Sequence, residues 1–138
     1  VSALLRSPEV SMAASTISRH PSVRLKMVEK QREIAGKMSC VLDGRDIGTF
    51  VLPDADFKFY LTASPEVRAK RRYDEMVARG EQVDFEALKR DIAARDEQDS
   101  PRALAPLKKA DDAILIDTSD MTVDEVLDTL KRKMQEKI

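Results

Sequence analysis

Residues 56–73, DFKFYLTASPEVRAKRRY, decide how this chain is expected to fold. Every second residue from Phe57 to Leu61 is apolar, which is typical of a β-strand. Ser64 and Pro65 follow after two further residues, and this pair favours a helix start because serine caps the first turn and proline suits its first position. The stretch therefore predicts a strand at 57–62 that leads directly into a helix.

The alternation of strand and helix extends in both directions along the chain. Upstream, the sequence predicts a short helix after a Ser7 cap, a longer helix over residues 21–38 and a strand from Met38 to Leu42. Downstream, it predicts two charged helices over about residues 65–100, a third strand in DDAILIDTS (111–119) and a closing helix. Because helical crossovers connect successive strands, we predict an α/β fold with a parallel three-stranded sheet, whose ligands bind beyond the carboxyl ends of the strands.

Local signals mark several features of the helices. In the helix over residues 21–38, the apolar residues form one stripe at helical spacing, namely Val23, Met27, Ile34 and Met38. Gly80 is the expected stop of the first charged helix, and Asp84 is the expected cap of the second. The connection between them, RGEQVD (79–84), fits either a mobile flap tip or a tight turn.

Composition restricts the classes of function. The 138 residues suit one domain, and 24 basic against 25 acidic side chains give a net charge of −1. There is therefore no overall basic field for nonspecific nucleic-acid binding. One histidine, His20, and one cysteine, Cys40, are too few for a zinc site, and Cys40 is expected to be buried. Without an export signal or an apolar run of about 18 residues, we expect a cytoplasmic protein with no membrane contact.

A charged turn, DGRDIGTF at residues 43–50, follows the predicted strand at Met38 to Leu42. A turn that only joins two elements gains nothing from holding Asp43, Arg45 and Asp46 in fixed directions. Because the turn lies at the carboxyl end of a predicted parallel strand, these side chains are candidates for a binding site.

The first charged helix carries four cations within five residues, namely Arg68, Lys70, Arg71 and Arg72. Two interpretations remain open. The cations form a solvated face paired with nearby acids such as Asp74 and Glu75, or they bind phosphate, for which the planar guanidinium fork is well suited.

A second group of charges lies at the end of the next helix. Arg95 and Asp99 are four residues apart, and Arg102 follows Pro101. An ordinary surface ion pair and a ligand site are both open interpretations here. Together with the residues of the charged turn, these arginines and carboxylates favour a nucleotide site over an acid–base pair, because carboxylates accept hydrogen bonds from ribose or base groups and arginines bind phosphate.

The sequence lacks the loop that usually holds the phosphates of ATP in such folds. That loop has the pattern G-x-x-x-x-G-K-[ST] after a strand. The one Gly-Lys pair, Gly36-Lys37, has Gln31 in place of the first glycine and Met38 in place of serine or threonine. It is also predicted to lie in a helix, so it is not a phosphate-binding loop.

The assembled segments resemble the C-terminal portion of bacterial cytidylate (CMP) kinases, in order and spacing, essentially along all 138 residues. The resemblance is carried by PEVSMAAS, PSVR, VLDGRDIGTFVLPDADFKFYLTAS, RAKRRY and RDEQDSPRALAPLKKADDAILIDTS. It implies a parallel sheet of the P-loop nucleoside monophosphate kinase type, incomplete because the central P-loop strand is missing. The implied organisation is a single partial domain over 1–138, with residues 39–62 and 113–138 as core and about 65–100 as lid-like helices.

The resemblance also implies roles for the residues of the charged turn and of the first two helices. Ser15, Arg24 and Asp46 would contact the cytosine. Arg45 would bind the CMP phosphate, and Asp43 would brace the turn and the neighbouring arginines.

Further roles are implied for the helices at 65–100 and the segment after them. Arg95 and Asp99 would face the sugar hydroxyls, and Arg102 would bind the CMP phosphate together with the arginine of the turn. The lid arginines would close over the ATP phosphates and neutralise the charge of the transferred group; these are Arg68, Arg71 and Arg72.

For the complete enzyme, the resemblance implies transfer of the γ-phosphate of ATP, with Mg²⁺, to CMP or dCMP. The expected partners are these small molecules, without nucleic acid, and the complete enzyme is expected to be a monomer. Since the phosphate-binding loop is missing, we expect no activity from this chain alone. The alternative is a non-catalytic module that binds a cytidine nucleotide or serves as part of an assembly.

Overall fold

A computed structural model describes residues 8–99 and 108–137, which divide into two compact units at Gly44 and Arg45. The first unit contains helices α1 (Pro8–Ile17) and α2 (Pro21–Ala35). The second contains a π-helical turn, two strands and three helices. In chain order these are the turn Ile47–Val51, β1 (Phe59–Thr62), α3 (Pro65–Ala78), α4 (Phe85–Asp99), β2 (Ile114–Asp117) and α5 (Val123–Gln135). None of the described helices is long and apolar enough to cross a membrane.

The two strands form a parallel pair. Phe59 lies opposite Ile114 and Thr62 opposite Asp117, so both strands end at the same edge. At the amino end, Lys58 Nζ lies 2.6 Å from Asp112 Oδ2, and this hydrogen bond lowers the pKa of Asp112. The α/β class and the parallel direction predicted from the sequence are confirmed.

The predicted strand from Met38 to Leu42 is wrong, and the described residues contain two strands instead of three. The segment is irregular, Val41 is fully exposed and Cys40 is exposed instead of buried. A strand needs a hydrogen-bonded neighbour, and in the described part of the chain β1 and β2 bond to each other. The apolar run from Met38 to Leu42 shows no strand pairing with either of them, and it therefore stays irregular and largely exposed.

The charged turn continues into the π-helical turn. The carbonyl of Asp46 accepts hydrogen bonds from the amides of Phe50, at 2.9 Å, and Val51, at 3.2 Å, and the amide of Leu52 donates to the carbonyl of Ile47 at 2.7 Å. This turn buries Val51 completely and leaves Asp46 only 6% exposed. The turn therefore fixes the position of Asp46.

The helix predicted over residues 21–38 begins at Pro21 as expected but ends at Ala35, so the prediction that Gly36 and Lys37 lie inside it is wrong. The ends predicted at Ser64, Gly80 and Asp84 are confirmed. The Ser64 hydroxyl accepts a hydrogen bond from the amide of Val67, and Asp84 Oδ1 accepts one from the amide of Ala87 at 2.7 Å. Gly80 has a φ of +80°, and the amide of the next residue donates to the carbonyl of Met76. This is a Schellman motif, which needs a left-handed residue at its centre. The predicted Ser7 cap lies outside the described residues.

The apolar stripe of α2 is not the face that the first unit buries. Val28 is 2% exposed, whereas Met27 is 52% and Ile34 is 51% exposed. Arg24 and Gln31, which lie one turn from Val28 on either side, are half-buried. Sequence periodicity finds an apolar stripe, but burial depends on what packs against it.

The second unit has a small core at the strands and at α3. Val51, Ala69 and Ile116 are each at most 5% exposed. α3 packs against α4, where Tyr73 and Phe85 make an edge-to-face contact with ring centroids 5.7 Å apart. Two arginines of α3, Arg68 and Arg71, lie next to the carboxyl end of β1.

Candidate functional site

The first unit contains three of the predicted site residues. Ser15 and Arg24 are half-buried, in α1 and in the first turn of α2 respectively. The carbonyl of Ser15 accepts a hydrogen bond from the Ser18 hydroxyl at 2.9 Å, so the last turn of α1 is closed by a side chain. Asp43 is exposed at the end of the irregular segment.

Two further predicted residues open the second unit. Arg45 is exposed, whereas the adjacent Asp46 is 6% exposed. A buried carboxylate is costly unless polar groups compensate it, and aspartates are therefore seldom buried to this extent. Adjacent opposite charges in this turn are thus separated by burial, with the cation outside and the anion inside.

Arg68 connects α3 to two other elements. Its Nε donates to the carbonyl of Ala63 at 3.1 Å, directly after β1. Its Nη1 and Nη2 donate to Oδ1 and Oδ2 of Asp96 on α4, at 3.0 and 2.5 Å. The two side chains are about one-third exposed, at 34% and 35%. This bidentate ion pair lies at the carboxyl end of β1.

Arg71 binds the segment that follows β2. Its guanidinium donates to the hydroxyl of Thr118 at 3.0 Å, to the carbonyl of Thr118 and to the carbonyl of Met121 at 3.3 Å. The Thr118 hydroxyl in turn donates to the carbonyl of Thr62 at 2.9 Å. Arg71 therefore joins α3 to the carboxyl ends of both strands.

Arg72 and Lys70 pair within α3. Arg72 Nη1 lies 3.0 Å from Glu75 Oε2, and Lys70 pairs with Asp74. These are the ion pairs that the solvated-face interpretation predicts for the two cations. Exposed pairs of this kind contribute little to stability.

The remaining predicted residues lie at the end of α4 and beyond it. Arg95 and Asp99 are four residues apart in the last turns of α4. Arg102 lies outside the described residues. Their roles stay predictions.

The sequence analysis missed several polar groups at the carboxyl ends of the strands. Asp96 is one of them. The others are Asp117 and Ser119, which lie at the carboxyl end of β2. Asp117 Oδ1 accepts hydrogen bonds from the amide and the hydroxyl of Ser119, at 2.9 and 2.6 Å. These hydrogen bonds lower the pKa of Asp117. Ser119 Oγ accepts from the amide of Ser64 at 3.0 Å, which connects the two strand ends. Polar residues directly after each strand were the available signal for this group.

The fold and these contacts define a parallel α/β protein whose polar and guanidinium groups gather where ligands bind in such sheets. The family described as Cytidylate kinase matches residues 1–136. The chain belongs to the cytidylate kinase family.

Several curated relatives are similar to the chain, and the three from the following organisms are all named cytidylate kinase. The protein of Geobacillus sp. (strain WCH70) is 51% identical over the whole chain, which covers 62% of that relative. The protein of Anoxybacillus flavithermus is also 51% identical over the whole chain, which covers 61% of it. The protein of Corynebacterium glutamicum is 55% identical over 91% of the chain and 55% of the relative. The chain thus spans about 60% of the length of these relatives.

Proposed function

We propose that this chain supplies the acceptor-binding and lid residues of a kinase that transfers the γ-phosphate of ATP to CMP or dCMP, giving CDP or dCDP. The observation that carries the proposal is the family match over residues 1–136, which includes every residue assigned a role. The reaction is proposed for the cytoplasm. The complete enzyme is proposed to be a monomer that acts on small molecules and not on nucleic acid.

Recognition of cytosine is assigned to Ser15, Arg24 and Asp46. An arginine donates to the carbonyl and ring nitrogen of cytosine, and a carboxylate accepts from its amino group. Uracil presents a carbonyl where cytosine has the amino group, so it would repel the carboxylate. The burial of Asp46 supports this role, since a shielded carboxylate discriminates more strongly than a solvated one.

The phosphate and sugar of CMP are assigned to the other acceptor residues. Arg45 and Arg102 would bind the phosphate, and Arg95 and Asp99 would face the sugar hydroxyls. Asp43 would brace the charged turn. The exposure of Arg45 supports its assignment, because a ligand can reach an exposed side chain from solvent.

The ATP phosphates are assigned to the arginines of α3, which are Arg68, Arg71 and Arg72. Fixed cations at this position would neutralise charge on the transferred group. The described residues contain no group of three or more side chains able to hold a metal ion. Mg²⁺ is proposed to enter with the nucleotide phosphates, as is usual for this ion.

Base discrimination gives a direct test. Asp46→Asn replaces an acceptor by an amide that also donates to the carbonyl of uracil. We expect wild type to bind CMP at least about tenfold more tightly than UMP. In the variant this ratio of CMP affinity to UMP affinity should fall close to one. The measurement is calorimetric titration of the chain with CMP, dCMP and UMP.

Asp54→Asn is the matched control, because Asp54 is exposed in the same unit and the charge change is identical. The control should keep the wild-type ratio. An unchanged ratio in Asp46→Asn, or UMP binding by wild type as tight as CMP binding, would remove the assigned role of Asp46.

A non-catalytic cytidine-nucleotide-binding module remains the second candidate. It is favoured by one observation, namely the lack of a phosphate-binding loop in the sequence. Gly36 and Lys37 directly follow the end of helix α2 at Ala35, whereas that loop has to follow a strand. Both candidates bind CMP, and neither predicts turnover by this chain alone. They are distinguished by whether CMP is converted to CDP when the chain is joined to an N-terminal segment that carries a phosphate-binding loop.

A further inference from the structure

The ion pair between Arg68 and Asp96 differs from the other ion pairs of α3. Lys70 and Arg72 pair with acids three or four residues away on the same helix. Arg68 and Asp96 are 28 residues apart and join α3 to α4. This contact therefore depends on how the two helices are packed, and a change in the contact changes that packing.

The ion pair occupies a fork of two N–H donors, one from each Nη atom, that a phosphate would also use. A guanidinium has five N–H donors, and its two Nη atoms form the fork that binds carboxylate or phosphate in the same bidentate manner. In Arg68 both Nη atoms donate to Asp96, and Nε donates to the carbonyl of Ala63. A phosphate at Arg68 would meet the negative charge of Asp96 within hydrogen-bond distance.

The pair is nevertheless within reach of an anion. Arg68 and Asp96 are about one-third exposed, at 34% and 35%. The carbonyl of Ala63 fixes the guanidinium at the carboxyl end of β1, which is the edge where ligands bind in parallel sheets. The bond from Nε to Ala63 can persist while the two Nη atoms change partner.

We propose that Asp96 controls the access of phosphate groups to Arg68, by holding the guanidinium until a nucleoside polyphosphate takes the place of its carboxylate. Asp96 is thus a positioning residue for the lid, and this inference rests on the proposed function. Exchange of the carboxylate for a phosphate releases α4 from Arg68 and leaves Arg68 bound to β1. Phosphate binding and α3–α4 packing are coupled through one side chain.

The test compares the binding of inorganic tripolyphosphate to variants of the chain by calorimetry at low and high salt. Asp96→Asn removes the competing charge and keeps the shape of the side chain. We expect it to bind tripolyphosphate about fivefold to tenfold more tightly than wild type. Combining it with Arg68→Ala should abolish that gain.

Glu97→Gln is the matched control, because it removes the same charge from the neighbouring position of α4 and leaves the Arg68–Asp96 pair intact. It should change the affinity by less than about twofold, as expected for a screened surface charge. If Asp96→Asn binds no more tightly than wild type, or if Glu97→Gln gains as much, the proposal is overturned.

A second measurement is made on the wild-type chain, and a variant is needed only to assign the signals. In wild type, the Nη–H nuclear magnetic resonance signals of Arg68 should shift when tripolyphosphate is added, because the two Nη atoms are the ones that exchange Asp96 for phosphate. They are assigned by their loss in Arg68→Lys. Signals that stay in place at saturating tripolyphosphate overturn the proposal.

Failure of the proposed function would appear in CMP binding and not in tripolyphosphate binding. CMP that does not bind, together with a tripolyphosphate gain in Asp96→Asn, would remove the CMP assignment and support the role of Asp96. CMP binding without a tripolyphosphate gain in Asp96→Asn would support the CMP assignment and remove the role of Asp96.

Discussion

Asp43 and Asp46 carry the same chemical group three positions apart, yet one is exposed and the other is 6% exposed. The arginines of α3 differ in the same way. Arg71 bonds to groups at the strand ends, whereas Arg72 pairs with Glu75 on its own helix. The consequences of losing a side chain therefore depend on its partners and not on its type.

Replacement of Arg71 should destabilise the second unit more than replacement of Arg72. Arg71→Ala leaves the carbonyls of Thr118 and Met121 without a charged donor and should lower the free energy of unfolding by about 1.5 kcal/mol. Arg72→Ala removes an equal charge from the same helix but only an exposed pair, at a cost of about 0.5 kcal/mol or less. Urea unfolding of both variants measures the difference.

Equal losses in these two variants would contradict the structural role given to Arg71. If Arg71 also binds ATP phosphates, as proposed, Arg71→Ala should weaken tripolyphosphate binding as well as lower the free energy of unfolding. The two readouts are independent, so each role is tested separately.

Helix ends and strands were not equally predictable. The caps at Ser64 and Asp84 and the stop at Gly80 were predicted correctly, because each depends on hydrogen bonds within a few residues. The capping box of α5, in which Thr122 and Glu125 bond reciprocally, is likewise local and carries the S/T-x-x-E pattern. The strand at Met38 to Leu42 failed because strand formation depends on a neighbour far away in sequence.

Gly80 gives a test of the turn between α3 and α4. Apart from its two chain neighbours, a Cβ at this position would meet no atom within 4 Å, so Gly80→Ala adds mainly the strain of a left-handed alanine. We expect a loss of about 1 kcal/mol in the free energy of unfolding, measured by urea unfolding.

Gly36→Ala is the control for this substitution. Gly36 follows α2 with a φ of −74°, which alanine adopts readily, and a Cβ at this position would lie 3.4 Å from the carbonyl oxygen of Arg32. Stability should be unchanged or slightly higher. If Gly80→Ala proved as stable as wild type, the left-handed turn would not be a constraint on this connection.

At the scale of the whole molecule, many apolar side chains are uncovered. Among the described residues, several large ones are at least half exposed, including Met12, Leu25, Met38, Val41, Leu61, Leu115 and Val123. The buried apolar residues of the same ranges are few and mostly small, namely Val28, Val51, Ala63, Ala69 and Ile116. This arrangement fits a chain that spans about 60% of the length of its relatives.

We expect the purified chain to convert no CMP to CDP with ATP and Mg²⁺, because its sequence has no loop able to hold the transferred phosphate. A coupled assay of ADP release measures this, with a relative of full length as the positive control. Turnover above the rate without CMP would contradict the prediction and would require another phosphate-binding group in the chain.

The sequence by itself determined the α/β class, the parallel direction of the strands, most helix ends and the family, because these depend on local patterns and on motifs in a fixed order. The tertiary structure decided which residues are buried and what each charged group contacts. Asp96 and Thr118 carried no local signal for their bonds to Arg68 and Arg71, which lie 28 and 47 residues away. The strand at Met38 to Leu42 failed for the same reason, since burial and pairing are properties of neighbours that only the folded chain brings together.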